Sequence, residues 1–289
     1  MFKALLAKMG KGGAQTDLVL ERDHVQLGDP VKGDLIIRGG IIDQKIKKID
    51  IDLMIHIRLG QQVYSHSIAR FPYHSPLMVH PSEVITFPFS YRLPSNLLVS
   101  GYTVSYQFIT QLEISSGTNY TDTDPIIIAP PHYIQRLLNA LEQLGFHEKY
   151  GSRSYDGMMQ SFEFTPTAFF KKEVKEMEFV AAIGNDQISL FLQILHLSSP
   201  KKVSCREICI KRELLRQPDK LKLFLLNALQ ETVANPEQYQ ESKENFYKKY
   251  TSAPGAIGAF AGEWFPNPWD KNENPFSKGG SLLLGHEKA

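Results

Sequence analysis

A chain of 289 residues can bury roughly 75% of its unfolded surface and suits two domains better than one. Hydrophobic content of 42% and charged content of 22% are those of an ordinary globular protein. Thirty-two Lys plus Arg against 31 Asp plus Glu leave a net charge of +1, which gives no support to nucleic-acid binding, because that needs a basic surface to displace counterions.

The opening MFKALLAKMGKGGA is positively charged, but its apolar run is broken by Lys8 and is too short for a secretory leader. No stretch reaches the ~20 apolar residues of a membrane helix. Two cysteines, Cys205 and Cys209, make no disulfide framework, and the expected compartment is the cytoplasm. Residues Met1 to Gly10 can form a short amphipathic helix. Phe2, Leu5, Leu6 and Met9 share one side, with Lys3 and Lys8 elsewhere, a pattern that can rest on an anionic membrane surface. The apolar face is only a few residues long, so packing on the chain's own body is the favoured expectation.

From Thr16 onward the pattern is period two. Thr16 to Glu21 makes a first strand, and Leu27-Gly28-Asp29-Pro30 a turn. Val31, Gly33, Leu35 and Ile37 alternate inward, ending at Gly39-Gly40, a pair suited to backbone angles closed to other residues. A strand over Ile46 to Leu59 follows, in which Ile49, Ile51, Leu53, Ile55, Ile57 and Leu59 share one parity, while Lys48, Asp50, Asp52, Met54, His56 and Arg58 share the other. Successive side chains of a strand point to opposite faces, so this is a long antiparallel strand with one wet face. A shorter strand through Val63, Ser65 and Ser67 should pair with it. Further parity sets run through Ile85–Leu93 and Tyr102–Ile114, and Ile126 to Ile128 closes the unit. Short strands separated by regular turn signals describe an all-β sandwich.

Pro130-Pro131 ends this unit, since neither can donate to a ladder. Ile134, Leu137, Leu138, Leu141 and Leu144 then recur at helical spacing, and Gly145 stops the helix. Strands resume at Ser161–Phe164, Met177–Ile183, Gln187–Leu197 and Val203–Lys211, followed by helices over Lys220–Val233 and Glu237–Tyr250. Ile188 to Leu195 is apolar on both faces and belongs at the centre of a sheet. The expected division is 1–130, 131–218, and a helical segment with a Pro/Gly/aromatic tail over 219–289.

The run LGDPVKGDLIIRGGIIDQKIKKIDIDL, with Gly28, Asp29, Gly33, Gly39, Gly40 and Asp43, resembles the opening of the bacterial sporulation-control protein M family. Pro88-Phe89-Ser90-Tyr91-Arg92-Leu93-Pro94 is similar to that family's PF-strand-LP signature. Leu112-Glu113-Ile114, Asp122, Asp124-Pro125 and Pro130-Pro131-His132 are similar to its domain-closing segment, and Phe162-Glu163-Phe164 to its second half. The resemblance implies a mainly β fold of two tandem arrestin-like, immunoglobulin-like antiparallel sandwiches. It also implies a non-enzymatic regulatory or adaptor role, and it brings no catalytic residues. Family members often end in a Gly-rich basic tail, whereas this chain ends in an aromatic one.

That tail holds Trp264, Phe265, Trp269 and Phe276. Asn267-Pro268-Trp269 and Asn274-Pro275-Phe276 are turn-forming units that would present an aromatic anchor, either to a partner or to the chain's own edges. His56, His66, His74 and His80 cluster in sequence without metal-ligand spacing. Asp122-x-Asp124 opens like a calcium loop but lacks its glycine and terminal glutamate. Cys205 and Cys209, four apart in a strand, read as buried thiols. No metal, cofactor or catalytic constellation is expected. The expected partners are proteins, a second copy of the chain among them.

Overall fold

The computed structural model describes residues 12–73, 76–94, 97–115, 117–198 and 202–250. The described residues form two compact units that divide between Gln135 and Arg136, with 97–98 grouped with the second. The fold is mainly β and antiparallel, as the alternation demands.

In the first unit, β1 (Gln15–Leu20), β3 (Pro30–Arg38) and β7 (Val84–Arg92) make a three-stranded sheet in the order β1-β3-β7. The facing sheet runs β2 (His24–Gln26), β9 (Tyr120–Ala129), β8 (Val104–Ile114), β4 (Gln44–Leu59), β5 (Gln62–Tyr73). β6 (Leu77–Val79) pairs with the start of β4. Leu18, Leu35 and Ile37 of one sheet and Ile51, Leu53, Ile55 and Phe108 of the other are buried between the layers. Phe89 meets Phe108 edge-on across the gap, with ring centroids 5.5 Å apart. β2 joins β9 in parallel, an exception to the antiparallel rule.

Three expectations change. β5 is longer than the Val63–Ser67 stretch and runs through Pro72 to Tyr73, which it can do because it is an edge strand. The polar parity of β4 is not wet throughout: Asp50 is 7% exposed and Asp52 5%. Arg70 on β5 lies opposite Asp52 and donates from Nε to its Oδ1 at 2.7 Å, Ser67 adds a bond at 3.0 Å, and Lys48 Nζ sits 2.6 Å from Asp50 Oδ2. Long neighbouring side chains cover carboxylates that parity alone would leave in water. Finally, Gly39 and Gly40 are required by close approach and not by left-handed angles. A side chain there would run into the backbone carbonyls of His80 and Gly12 respectively.

Pro131 accepts from the Ile134 amide and so opens α1 (His132–Gln143), which ends at Gly145 with φ +81°. In the second unit β10 (Phe146–Glu148), β12 (Gln160–Pro166), β13 (Val174–Ile183), β14 (Gln187–His196) and β15 (Val203–Lys211) form a sheet in that order, and β11 (Ser154–Tyr155) pairs with β12. One face is apolar: Phe162, Phe179, Leu190, Leu192 and Ile208 share it by register, with Phe162 stacked on Phe179 at 4.9 Å. The other face mixes Glu178, Val180, Ser189, Phe191, Cys205 and Glu207. α2 (Arg212–Leu215) and α3 (Pro218–Ala234) follow, and α3 accepts Arg206 at Glu231, 2.8 Å away.

The expected helix over Glu237–Tyr250 is only α4 (Lys243–Tyr250). Tyr239 to Glu241 are extended, because the edge of β15 draws their backbone into pairing. Replacing Gly39 by Ala should lower stability by roughly 2–3 kcal/mol, as a methyl group meets backbone and not a movable side chain. Urea denaturation of parent and variant measures it.

Candidate functional site

The tail residues Trp264, Phe265, Trp269 and Phe276, and the N-terminal Phe2, Lys3, Leu5, Leu6 and Lys8, lie outside the described residues, as does His74. The other clustered histidines do not converge. His56 Nδ1 is 2.6 Å from Ser65 Oγ, His66 lies opposite Ile55 on β5, and His80 Nδ1 is 2.8 Å from Asp43 Oδ1. Burial lowers the His56 and His66 pKa values, whereas the hydrogen bond to Asp43 raises that of His80. Cys205 is half-buried, but Cys209 is exposed, contrary to the expectation of two buried thiols. Its strand position faces the mixed side of the sheet, where small polar neighbours do not cover it.

One set of potential ligands does converge among the described residues, and it contains no histidine. Asp17 of β1 joins Asp122 and Asp124 of β9, with one carboxylate oxygen from each lying within 4.8 Å of the others. Asp122 and Asp124 share the inward parity of Ile126 and Ile128. Burial, then the charges of Asp122 and Asp17, push the Asp124 carboxyl up to about 7, against the lowering effect of the Leu18 amide that donates to it. The sequence reading missed Asp17, which is remote in the chain. The inward phase of Asp122 and Asp124 was the signal available.

The second candidate is the outer edge of β15. Cys205 donates its amide to Tyr239 O at 2.9 Å and accepts from the Glu241 amide at 3.0 Å, a short parallel pairing. Gln240 Nε2 donates to Val203 O at 3.0 Å, and the Glu207 amide donates to Glu241 Oε2 at 3.0 Å. Residues 239–241 therefore act as an added strand from the same chain. α4 continues from them onto the mixed face of the sheet. Phe246 and Tyr247 pack into a cluster with Met159, Val180, Ala182 and Phe191. Lys243 Nζ donates to Glu178 at 2.7 Å, Tyr247 Oη to Asp156 at 2.5 Å, and Tyr250 Oη to Glu207 at 2.6 Å. Burial first, then Asp156, raises the Tyr247 hydroxyl pKa, so it remains a donor.

A family profile described as "SpoOM protein" matches residues 2–196, well over half of the chain. The chain belongs to the SpoOM protein family. A curated relative, the sporulation-control protein spo0M of Bacillus subtilis (strain 168), is 28% identical over 206 residues, covering 67% of this chain and 80% of the relative. The crystal structure of Spo0M, sporulation control protein, from Bacillus subtilis aligns with a TM-score of 0.58 at 23% identity, covering 76% of this chain and 99% of that one. The arrestin-like fold implied by the sequence resemblance is thus shared with a solved member. β15 and the 239–250 segment follow the stretch that the SpoOM profile matches.

The folded state holds a proton on Asp124 more tightly than the unfolded chain does, so stability should fall as pH rises from about 4 to about 7. Three pH units correspond to at most about 4 kcal/mol, and solvent screening at this partly open flank reduces that to about 1–2 kcal/mol. Asp124→Asn should therefore exceed the parent in stability at pH 8, and the gain should vanish at pH 4. Thermal melts across this range check it.

Proposed function

We propose that this chain is a non-enzymatic regulatory adaptor of the cytoplasm that takes extended segments of partner proteins by strand addition at the edge of β15. Membership of a family whose curated relative is a sporulation-control protein supports the regulatory part of the reading. The observation that carries the binding part is the pairing already made by the chain itself, in which residues 239–241 occupy that edge through Cys205. Main-chain bonds give such binding its affinity, and side chains beside the strand give its specificity. Here the side-chain contacts come from an aromatic and basic helix, with Phe246 against Phe191 at 5.5 Å and Lys249 beside Glu207 at 3.0 Å. The partner segment is accordingly an extended stretch followed by basic and aromatic residues. One exposed free thiol, Cys209, suits a reducing compartment.

The chain's own 239–250 segment then competes with the partner, and binding is weakened by the fraction of time that the edge is covered. The double variant Lys243→Ala, Tyr247→Phe removes the bonds to Glu178 and Asp156 without changing the edge itself. A labelled synthetic peptide of residues 236–250 should bind this variant about tenfold more tightly than the parent, or better, which corresponds to loosening the segment by about 1.4 kcal/mol. Fluorescence polarisation measures it. Equal, weak binding to both would remove the strand-addition reading.

A further inference from the structure

The three carboxylates between β1 and β9 ask for something the chain does not itself supply. Asp17, Asp122 and Asp124 come from two different sheets of the first unit. None of them forms an ion pair with a lysine, arginine or histidine among the described residues. Elsewhere in the unit, Asp50 is met by Lys48 and Asp52 by Arg70. Like charges this close disfavour one another's ionised form, and the Leu18 amide that donates to Asp124 is a dipole and not a countercharge, so the set requires an account.

A second observation points the same way. Thr110 lies directly opposite Asp122 in the β8–β9 register, on the same inward face, and is wholly buried at 0% exposure. Its hydroxyl has no hydrogen-bond partner. The Oδ2 atoms of Asp122 and Asp124 are also buried and unpartnered. Three converging carboxylates on strand backbone thus have a buried hydroxyl as a cross-strand neighbour, and three of these side chains carry a buried oxygen with no hydrogen-bond partner.

We infer that Asp17, Asp122 and Asp124, with the Thr110 hydroxyl beside them, form a binding site for one hard divalent cation of the calcium, magnesium or manganese class. The donor set contains only oxygen, which selects hard cations over zinc or copper. Two oxygens bound at about 2.4 Å to one calcium ion can be at most about 4.8 Å apart, and the three carboxylate oxygens satisfy that limit as they stand. Because Asp17 belongs to the three-stranded sheet and the other donors to the facing sheet, the ion ties the two layers at their open flank. A calcium loop of contiguous residues is not required, which is why the missing glycine and glutamate after Asp124 do not argue against the site.

The test uses the full chain, stripped with a chelator and then titrated separately with calcium, magnesium and manganese chloride to about 5 mM, beyond the weak end of protein calcium sites. Calorimetry should show one ion per chain for at least one of the three, and the melting temperature should rise by a few degrees as the site fills. Asp17→Asn and Asp122→Asn should fold, because each removes a repelling charge, and should lose the saturable binding and the thermal shift. Three outcomes would overturn the site: no saturable binding of any of the three ions, binding that survives in both variants, or a thermal shift reproduced by sodium chloride at matched ionic strength.

Discussion

An open antiparallel sheet leaves unpaired amides and carbonyls along its outermost strands, and much of this molecule is arranged around that fact. Pro72 on β5 and Pro88 on β7 sit on edge strands, where a missing amide costs no ladder bond. Pro125 lies in the part of β9 that β2, paired only with Ile127–Ala129, does not reach. At β15 the solution differs. The chain lends its own residues 239–241 as a strand and then lays α4 over the adjoining face. A proline closes an edge permanently. A strand held by a few backbone bonds and ion pairs covers an edge that can be opened again.

The electrostatics follow the same division. On α4 the charges are complementary: Lys243 with Glu178, Lys249 with Glu207. Such partly exposed pairs contribute modestly and are screened by salt, so α4 is held firmly enough to dock but within reach of competition. Between β1 and β9 the charges are alike and crowded, with Asp122 and Asp124 on the inward parity of β9 and Asp17 on the exposed parity of β1, and a proton or a cation relieves that arrangement.

The architecture was legible because period-two alternation is a direct consequence of strand geometry. The isoleucine run of β4, the parity set of β8 and the doubly apolar β14 lie where alternation put them. Helical spacing in α1 and its arrest at Gly145 were equally plain. What escaped was whatever depended on contacts remote in sequence. Asp50 and Asp52 are buried because Arg70 and Lys48 cover them, which no local pattern announces. Asp17 meets Asp122 and Asp124 only when the two sheets close. Residues Tyr239–Glu241 have helical neighbours in sequence and became extended because a strand edge elsewhere had bonds to offer. Gly39 and Gly40 were read as residues for unusual angles, whereas two carbonyls approach them too closely for any side chain.

Binding at the edge of β15 requires the 239–250 segment to be a separable cover. Hydrogen exchange followed by mass spectrometry under native conditions tests that most directly, since regions that open locally exchange ahead of global unfolding. Residues 239–250 and the Cys205 and Glu207 amides should exchange together, well before β13 and β14. Exchange of that segment at the same rate as β13 and β14 would show it to be part of one cooperative core, and the edge would then be no binding site.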